Sequence, residues 1–583
     1  MTKISFSSLN YFLLSFIFIL FHFPVKADQL TDFDRQQVHQ QQSEDKHLQQ
    51  LMQPNANIRF EHALLPKQIL PEQEQHCFSI NHIELTEWQE KGEKISTHKL
   101  HNILHNTQKS IGLSLPQCLG IESIKIIIEQ LQNQFIHQGY ITTRIYLPDQ
   151  DLSKGILKFT VVAGKIADIH WSDKSSTPRW KKGLLWSALP LKRGDLFNLR
   201  ALEQGLENFK RVRSADVDIE IVPNEKANAV AGESDLYIRY QQNFPLRLSL
   251  GMSNGGNKNT GRLQTNTILS LDNPFSLNDL FYLNFNHSFK QKNDEKNKRY
   301  SKNISFGYSI PWRNWEFSTF FSNHHYYQTV FGFYTNYGYW GKSKNAKINA
   351  AYLLYRDTHY KAYLDLGLWR RQSQNFIDDM EIHSHKRHLA GWDLGLRQQI
   401  FFDNSILNFE LHYKRGTGIW GAETVPTKAL SRPKIISANL QYQQNFNVGT
   451  INGLISTDWQ FQWNKSPLLI QDMMSIGGRY SVRGFSGELT LSGERGWIGR
   501  NEIAWKYKPN HQLYSAVDIG RVSGESQKQQ KARVLIGTAI GARGQFSLLG
   551  ELNYDLFIGK PLQKPKSFKA DKNILGFSFS YQF

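Results

Sequence analysis

Leu575-Gly576-Phe577-Ser578-Phe579-Ser580-Tyr581-Gln582-Phe583 closes the sequence with an apolar residue at every second position. Period two is the spacing of a strand with one apolar and one polar face. The same texture runs back to Phe244: Phe244, Leu246, Leu248 and Leu250 alternate with Pro245, Arg247, Ser249 and Gly251. Phe546, Leu548, Leu552, Tyr554 and Leu556 repeat it. Such strands build either a soluble sandwich or a barrel in lipid. Three features favour lipid. The strands read as about 10 residues, the reach of a tilted membrane strand. Aromatic residues cluster at strand ends, as in interfacial girdles. A strand ending in Tyr581-Gln582-Phe583 would leave a sticky edge in water, whereas a closed barrel pairs it. Residues 242–583, at roughly 21 per strand and connection, predict a membrane β-barrel of about 16 antiparallel strands. An even count puts both barrel ends on one side.

Composition agrees once the barrel is considered. The 583 residues are 40% hydrophobic and 13% aromatic, with a formal charge of +18. A mean hydropathy of −0.49 excludes a polytopic helical membrane protein, but not a barrel with a polar lumen. Lys3, the apolar run Tyr11 to Phe23 and Val25-Lys26-Ala27 read as a signal peptide over residues 1–27. Its removal takes Lys3 and Lys26 and leaves +16. Basic residues are spread rather than gathered into an arm or stripe, so nucleic acid is not an expected partner. Outer-membrane lipid and lipopolysaccharide are better counterparts for an exported basic chain. Cys77 and Cys118 are the two cysteines. In an oxidising compartment they are expected to pair; two buried free thiols are the alternative.

Upstream of the barrel the signals change twice. Residues 28–53 are Gln-rich, lack Gly and Pro, and read as one polar helix with too little apolar face to dock on a core; a disordered arm is the alternative. Residues 54–75 carry Pro54, Pro66 and Pro71 and read as a linker. Two small α/β modules follow, at 76–163 and 164–241. In the first, Phe78 to Leu85 reads as a strand, Ile121 to Gly139 as a helix, and Thr142–Leu147 with Ile156–Val162 as a strand pair. The second repeats the order: strand Ile166 to Trp171, helix Leu199 to Phe209, strands Val217–Val222 and Asp235–Tyr240.

No catalytic signature is present: no phosphate-cradling loop, no G-x-S-x-G, no H-E-x-x-H. An enzyme is not expected, nor a metal or any cofactor. His383, His385 and His388 read as a hydrated loop rather than a ligand set. Arg193-Gly194-Asp195 reads as a turn. In one late strand Trp497, Ile503, Trp505 and Tyr507 share the lipid face, which turns Arg500, Glu502 and Lys506 inward. By the same alternation Tyr514, Ala516, Asp518 and Gly520 face the lumen.

One Gly- and Ser-rich segment remains, Ile476-Gly477-Gly478-Arg479-Tyr480-Ser481-Val482-Arg483-Gly484-Phe485-Ser486-Gly487. It resembles the sixth extracellular loop of the two-partner secretion transporters (the TpsB family, hemolysin secretion/activation type) within the Omp85 superfamily. Cys77-Phe78 with Cys118, and Gln138-Gly139-Tyr140-Ile141-Thr142-Thr143-Arg144, resemble the first periplasmic polypeptide-transport-associated (POTRA) domain of that family. Asp272-Asn273-Pro274-Phe275 with Asn278-Asp279 resembles an early barrel hairpin, and the ending with Phe579, Tyr581 and Phe583 resembles the barrel assembly signal. The resemblance implies a plug helix in the lumen and two POTRA domains in the periplasm. It also implies a loop at about 470–496 folded into a barrel in the outer membrane of a Gram-negative bacterium. It implies that Val482, Arg483, Gly484 and Phe485 form the loop motif, with Arg483 paired to an acidic residue of a D-x-G strand, matched by Asp518-Ile519-Gly520. The implied function is secretion of a large exported partner protein (a TpsA-type cytolysin, adhesin or contact-dependent inhibition toxin). The hemolysin branch is favoured by overall texture. The barrel assembly machinery would act in biogenesis, and a monomer would suffice. Competing readings are a barrel-assembly factor of the same superfamily, separated by whether many barrel precursors co-purify, and a passive porin, which leaves the two modules without a role.

Overall fold

The computed structural model describes residues 27–52, 57–60, 68–88, 94–172, 180–226, 229–289, 298–331, 334–423, 432–464, 467–524 and 533–583. Residues 1–26 of the expected signal peptide, and Pro54 and Pro66 of the expected linker, lie outside them.

Helix α1 spans Ala27–Met52. The first module begins with Cys77–Ile80 and His82–Glu87, which belong to different sheets. The single strand expected from Phe78 to Leu85 is thus two. The break is at Asn81, whose N–H is taken by the Gly155 carbonyl at 2.8 Å. Cys77–Ile80 pairs with Gln117–Gly120, and a Cys77–Cys118 disulfide ties that small ribbon. Helices α2 (Thr97–Ile111) and α3 (Ile121–His137) cover a three-stranded sheet of His82–Glu87, Ile156–Val162 and Arg144–Tyr146. Helix α2 escaped the sequence reading; its buried stripe is only Leu100, Ile103, Thr107 and Ile111 among polar residues. The first turn of α3 is capped from a distance by Glu74, whose carboxylate accepts from the N–H groups of Gly120, Glu122 and Ser123 and from Ser123 Oγ. Burial opposes the charged form of Glu74, but these donors outweigh it and hold its carboxyl below the usual range.

The second module has the sheet order Lys165–Trp171, Glu233–Gln242, Ala215–Pro223, with α4 (Lys181–Ala188) and α5 (Leu199–Lys210) against it. Helix α4 is a further element the sequence reading did not find. Asn198 caps α5 by accepting from Arg200 N and Ala201 N. Arg193-Gly194-Asp195 is a turn with Gly194 at φ 85°.

Sixteen long antiparallel strands, Leu246–Ser253 through Ile574–Gln582, close into a barrel; a two-residue strand, Met380–Glu381, adds to one hairpin tip. They run from 8 to 21 residues, so many exceed the expected ten. Hydrogen-bonded pairing continues beyond the span a bilayer requires. The last strand pairs with the first from Ser578↔Ser253 to Gln582↔Ser249, and Phe583 N donates to Leu248 O at 2.9 Å. Phe579 and Tyr581 lie in this closing strand. Outward positions such as Ile304, Phe306, Ile503 and Trp505 are exposed, while inward positions are polar and covered, as a lipid face and a filled lumen require. No helix of the described residues is long and apolar enough to cross a membrane.

Candidate functional site: a lumen closed by a helix and a loop

Two elements fill the barrel. The first is α1. Asp45 accepts from Asn303 Nδ2 at 3.0 Å and from Ser322 Oγ at 2.8 Å. Gln37 donates to Thr260 Oγ1 at 3.2 Å, and Lys46 to Gln460 Oε1 at 3.1 Å. Asn303, Ser322 and Gln460 sit on inward strand positions and Thr260 in the connection before Gln264–Asp272, so a Gln-rich helix is matched to polar partners rather than to a core. One end departs from that pattern: Leu48 packs against Ile268 and Tyr282 with Met52 beside them.

The second element is the loop between strands Ile451–Asn464 and Arg495–Lys508. Its stem is a short hairpin, Met474–Ile476 with Leu491–Gly493. At its base Asp472 receives Lys414 Nζ at 2.9 Å and Arg371 Nη1 at 3.3 Å. At its tip Arg483 meets the lumen wall at His511–Ser523, the strand next to the one into which the loop returns. Its Nε donates to Asp518 Oδ2 at 2.7 Å and its Nη2 to Oδ1 at 2.9 Å, a two-pronged fork. The backbone N–H of Arg483 also donates to Asp518 Oδ2, at 2.9 Å. Arg483 Nη1 reaches Glu502 Oε2 at 2.5 Å, and Arg543 Nη2 holds the other Glu502 oxygen at 2.6 Å. Arg500 stands farther off, with Nε 3.9 Å from Asp518 Oδ2. Asp518 is fully covered and Arg483 is 6% exposed, so neither charge is left to water.

Apolar packing seats the same tip. Val482 and Phe485 enter a cluster with Ile476, Leu491, Ile498, Val522 and Leu535, and Phe568 meets Phe485 edge to face at 5.8 Å. Gly484 turns at φ 101°, where a Cβ would also lie 2.5 Å from Lys560 O. The wall answers with glycine: a Cβ on Gly537 would lie 1.9 Å from Arg483 O. Backbone therefore packs on backbone. Gly537, Arg543 and Asp472 were not singled out from sequence. Gly537 was findable as a glycine inside an alternating strand, the usual mark of a close approach.

Helix and loop touch each other: Gln42 Nε2 donates to Gln471 O at 2.7 Å, and Gln36 donates to Glu488 O. Along the wall, Gln512, Arg543, Asn553 and Asp555 line an open recess of about 350 Å³. His383 to His385 form a single 3-10 turn, and His388 Nε2 lies 3.0 Å from Arg370 Nε. Among the described residues no group of three or more His, Cys, Asp or Glu is placed to hold a metal.

A second charged cluster fastens the modules to the barrel. Helix α5 lies beneath the rim, and Arg356, the last residue of strand Asn336–Arg356, drives into it. Its Nη1 and Nη2 bind the two Glu207 oxygens at 2.8 and 2.9 Å, and its Nε binds Glu203 at 3.2 Å. Lys361 Nζ joins Glu207 at 2.5 Å. Residues 57–60 thread through this cluster: Ile58 N donates to Glu207 and Phe60 N to Glu203, each at 2.7 Å. None of these residues stood out in the sequence, because Glu203 and Glu207 read as the ordinary polar face of a helix.

Comparison with known proteins agrees with this architecture. Residues 232–544 match the family described as haemolysin secretion/activation protein ShlB/FhaC/HecB. Residues 78–164 match the ShlB-type POTRA domain and 165–223 a further POTRA domain. The outer membrane transporter CdiB-2 of Burkholderia pseudomallei (strain 1026b) is 31% identical over 474 residues, 80% of this chain and 79% of that one. The hemolysin transporter protein HpmB of Proteus mirabilis is 26% identical over 505 residues, covering 84% and 82%. The solved structure of CdiB from Acinetobacter baumannii superposes with a TM-score of 0.81 at 28% identity, over 94% of this chain and 98% of that one. The barrel match covers more than half of the sequence, so the chain belongs to the ShlB/FhaC/HecB family of haemolysin secretion/activation proteins.

Proposed function

We propose that the chain is a two-partner secretion transporter of the outer membrane, passing one large, unfolded exported protein from the periplasm to the cell surface. One observation carries this reading: the lumen is filled by two elements, α1 and the loop, held by exchangeable polar contacts behind two periplasmic modules. A passive porin has no use for such a closure. The division of labour follows: residues 28–53 the plug, 54–75 its linker, 76–163 and 164–241 the receptor modules, 242–583 the conduit. Arg483, with Asp518 and Glu502, latches the loop tip; Val482, Gly484 and Phe485 give it shape. Arg500 and Arg543 balance the carboxylates. Cargo binding at the modules displaces α1, the loop shifts, and the chain threads outward. Folding of the cargo outside supplies direction. The 31% identity to CdiB-2 against 26% to HpmB favours a cargo like that of the CdiB transporters over a haemolysin, the branch that sequence texture favours. Phe579, Tyr581 and Phe583 would be read by the barrel assembly machinery during biogenesis, lipopolysaccharide would surround the outer rim, and a monomer suffices.

Gentle solubilisation followed by mass spectrometry tests the reading. One large exported polypeptide should co-purify with the chain, and its surface display should vanish when the chain is deleted. Recovery of many different barrel precursors instead would make the chain an assembly factor.

A further inference from the structure

Helix α4 presents surface that the secretion cycle does not use. Trp180, directly before it, is 52% exposed, and Trp186 is 51% exposed. Lys181 and Lys182 are exposed beside them. Buried contacts fix the helix from its other side. Asn278 Nδ2 donates to Leu184 O at 2.9 Å and Ser187 Oγ at 2.8 Å, and the turn residue Arg313 donates its N–H to Ser187 O at 2.8 Å. The helix is thus clamped onto two turns at the module side of the barrel.

The exposed face has a definite neighbour. Trp186 packs against Trp312 with ring centroids 5.9 Å apart. Trp312 ends the strand Tyr300–Trp312 in phase with Ile304 and Phe306, the exposed residues of the lipid face. Across the turn, Trp315 packs on Phe317 and Tyr352 at 5.8 and 4.7 Å. Trp186 therefore extends the barrel's aromatic girdle sideways onto the second module, outside the wall. Lys182 and Trp186 share a helix face by i,i+4 spacing. Gly183 keeps Trp180 on it, since a Cβ there would lie 2.4 Å from the Trp180 ring. Tryptophan with lysine at a membrane boundary is the pairing that seats an interfacial helix on anionic headgroups.

We propose that Trp180 and α4 form a membrane-docking face that seats the second module on the periplasmic leaflet, with Trp180 and Trp186 at the headgroup boundary and Lys181 and Lys182 on anionic phospholipid. The proposal rests on the barrel spanning a membrane and is independent of what passes through its lumen. Docking fixes the tilt of the second module and leaves the first one to reach into the periplasm.

The test uses the full chain in nanodiscs of phosphatidylethanolamine with phosphatidylglycerol. A nitroxide is placed by Lys182→Cys; the disulfide-bonded Cys77 and Cys118 leave this as the reactive thiol. A second sample carries the label at exposed Lys125 of α3 as a water reference. At 182 the collision rate with a water-soluble nickel chelate should fall severalfold below that at 125, while collision with oxygen rises. Trp180→Ala/Trp186→Ala should return the 182 label to water-like values. Replacing phosphatidylglycerol by phosphatidylcholine should make it shallower. A label at 182 as open to nickel as that at 125 overturns the proposal. So does an unchanged depth after the tryptophan substitutions, or a depth indifferent to lipid charge. Heat-modifiable electrophoretic mobility confirms in each sample that the barrel is closed, so a folding failure is not read as lost docking.

Discussion

Two arginines do similar work in different places. Arg483 joins the loop tip to the lumen wall; Arg356 joins the barrel rim to α5 and residues 57–60. Each serves two carboxylates in a covered setting, Asp518 with Glu502 and Glu207 with Glu203. The difference lies in the reserves. Glu207 keeps Lys361 at 2.5 Å, and Glu203 keeps Arg200 at 2.6 Å, if Arg356 is lost. Asp518 would keep the backbone N–H of residue 483 and, as its nearest cation among the described residues, the distant Arg500, at 3.9 Å. The rim cluster is redundant, as suits a permanent joint. The loop latch depends on one side chain, as suits a joint that opens.

That contrast can be broken by substitution. Arg483→Ala should have the largest effect. It takes the paired charge from a buried carboxylate, a change of about 3–5 kcal/mol in loop seating, and surface yield of the cargo should fall at least tenfold while heat-modifiable barrel persists. Normal secretion would mean the loop latch is not part of transport. Deletion of residues 28–52 should raise single-channel conductance severalfold in planar bilayers, because α1 fills the lumen; an unchanged conductance would remove it as the plug. Arg356→Ala should cost about 2 kcal/mol, the scale of hydrogen bonds to a charged group with substitutes nearby. Its mark should be faster proteolytic release of the modules from an intact barrel. If Arg356→Ala abolishes secretion as completely as Arg483→Ala, the proposed redundancy of the rim is wrong.

The smallest effect is expected at Glu74. Glu74→Ala removes the distant cap of α3 and should lower the first module's stability by about 1 kcal/mol. The folded carboxyl titrates below its unfolded value. Its contribution is therefore present above the ordinary glutamate range and is lost as pH falls through the depressed folded value. Hydrogen exchange in the first turn of α3 should accelerate over that acid window in the wild-type chain and show no such step in the variant.

The barrel was legible because alternation is a local signal: each strand announces its own two faces. Asp518 could be placed inward in the same way, and the loop motif supplied Arg483 as a candidate for it. Glu502 was placed inward too, but its choice between Arg483 and Arg543 depends on how far the loop descends, which no local pattern encodes. The Arg356 cluster was invisible for a related reason. Its members come from residues 57–60, 200–207 and 356–361, and only the docking of α5 against the rim brings them together. Helix α2 was missed because its burial rests on a narrow stripe among His, Asn and Gln. The Phe78–Leu85 run was read as one strand because the change of sheet at Asn81 leaves no mark on hydrophobicity.

Gly537 leaves the seated loop no play. With the Arg483 carbonyl standing where a Cβ would be 1.9 Å away, the tip has no room for a slightly raised resting position held by partial contacts. A seat of this kind behaves as a switch rather than a spring. Current through a single unplugged barrel should therefore step between two levels as the loop engages and releases, and Gly537→Ala should abolish the engaged level instead of shifting it.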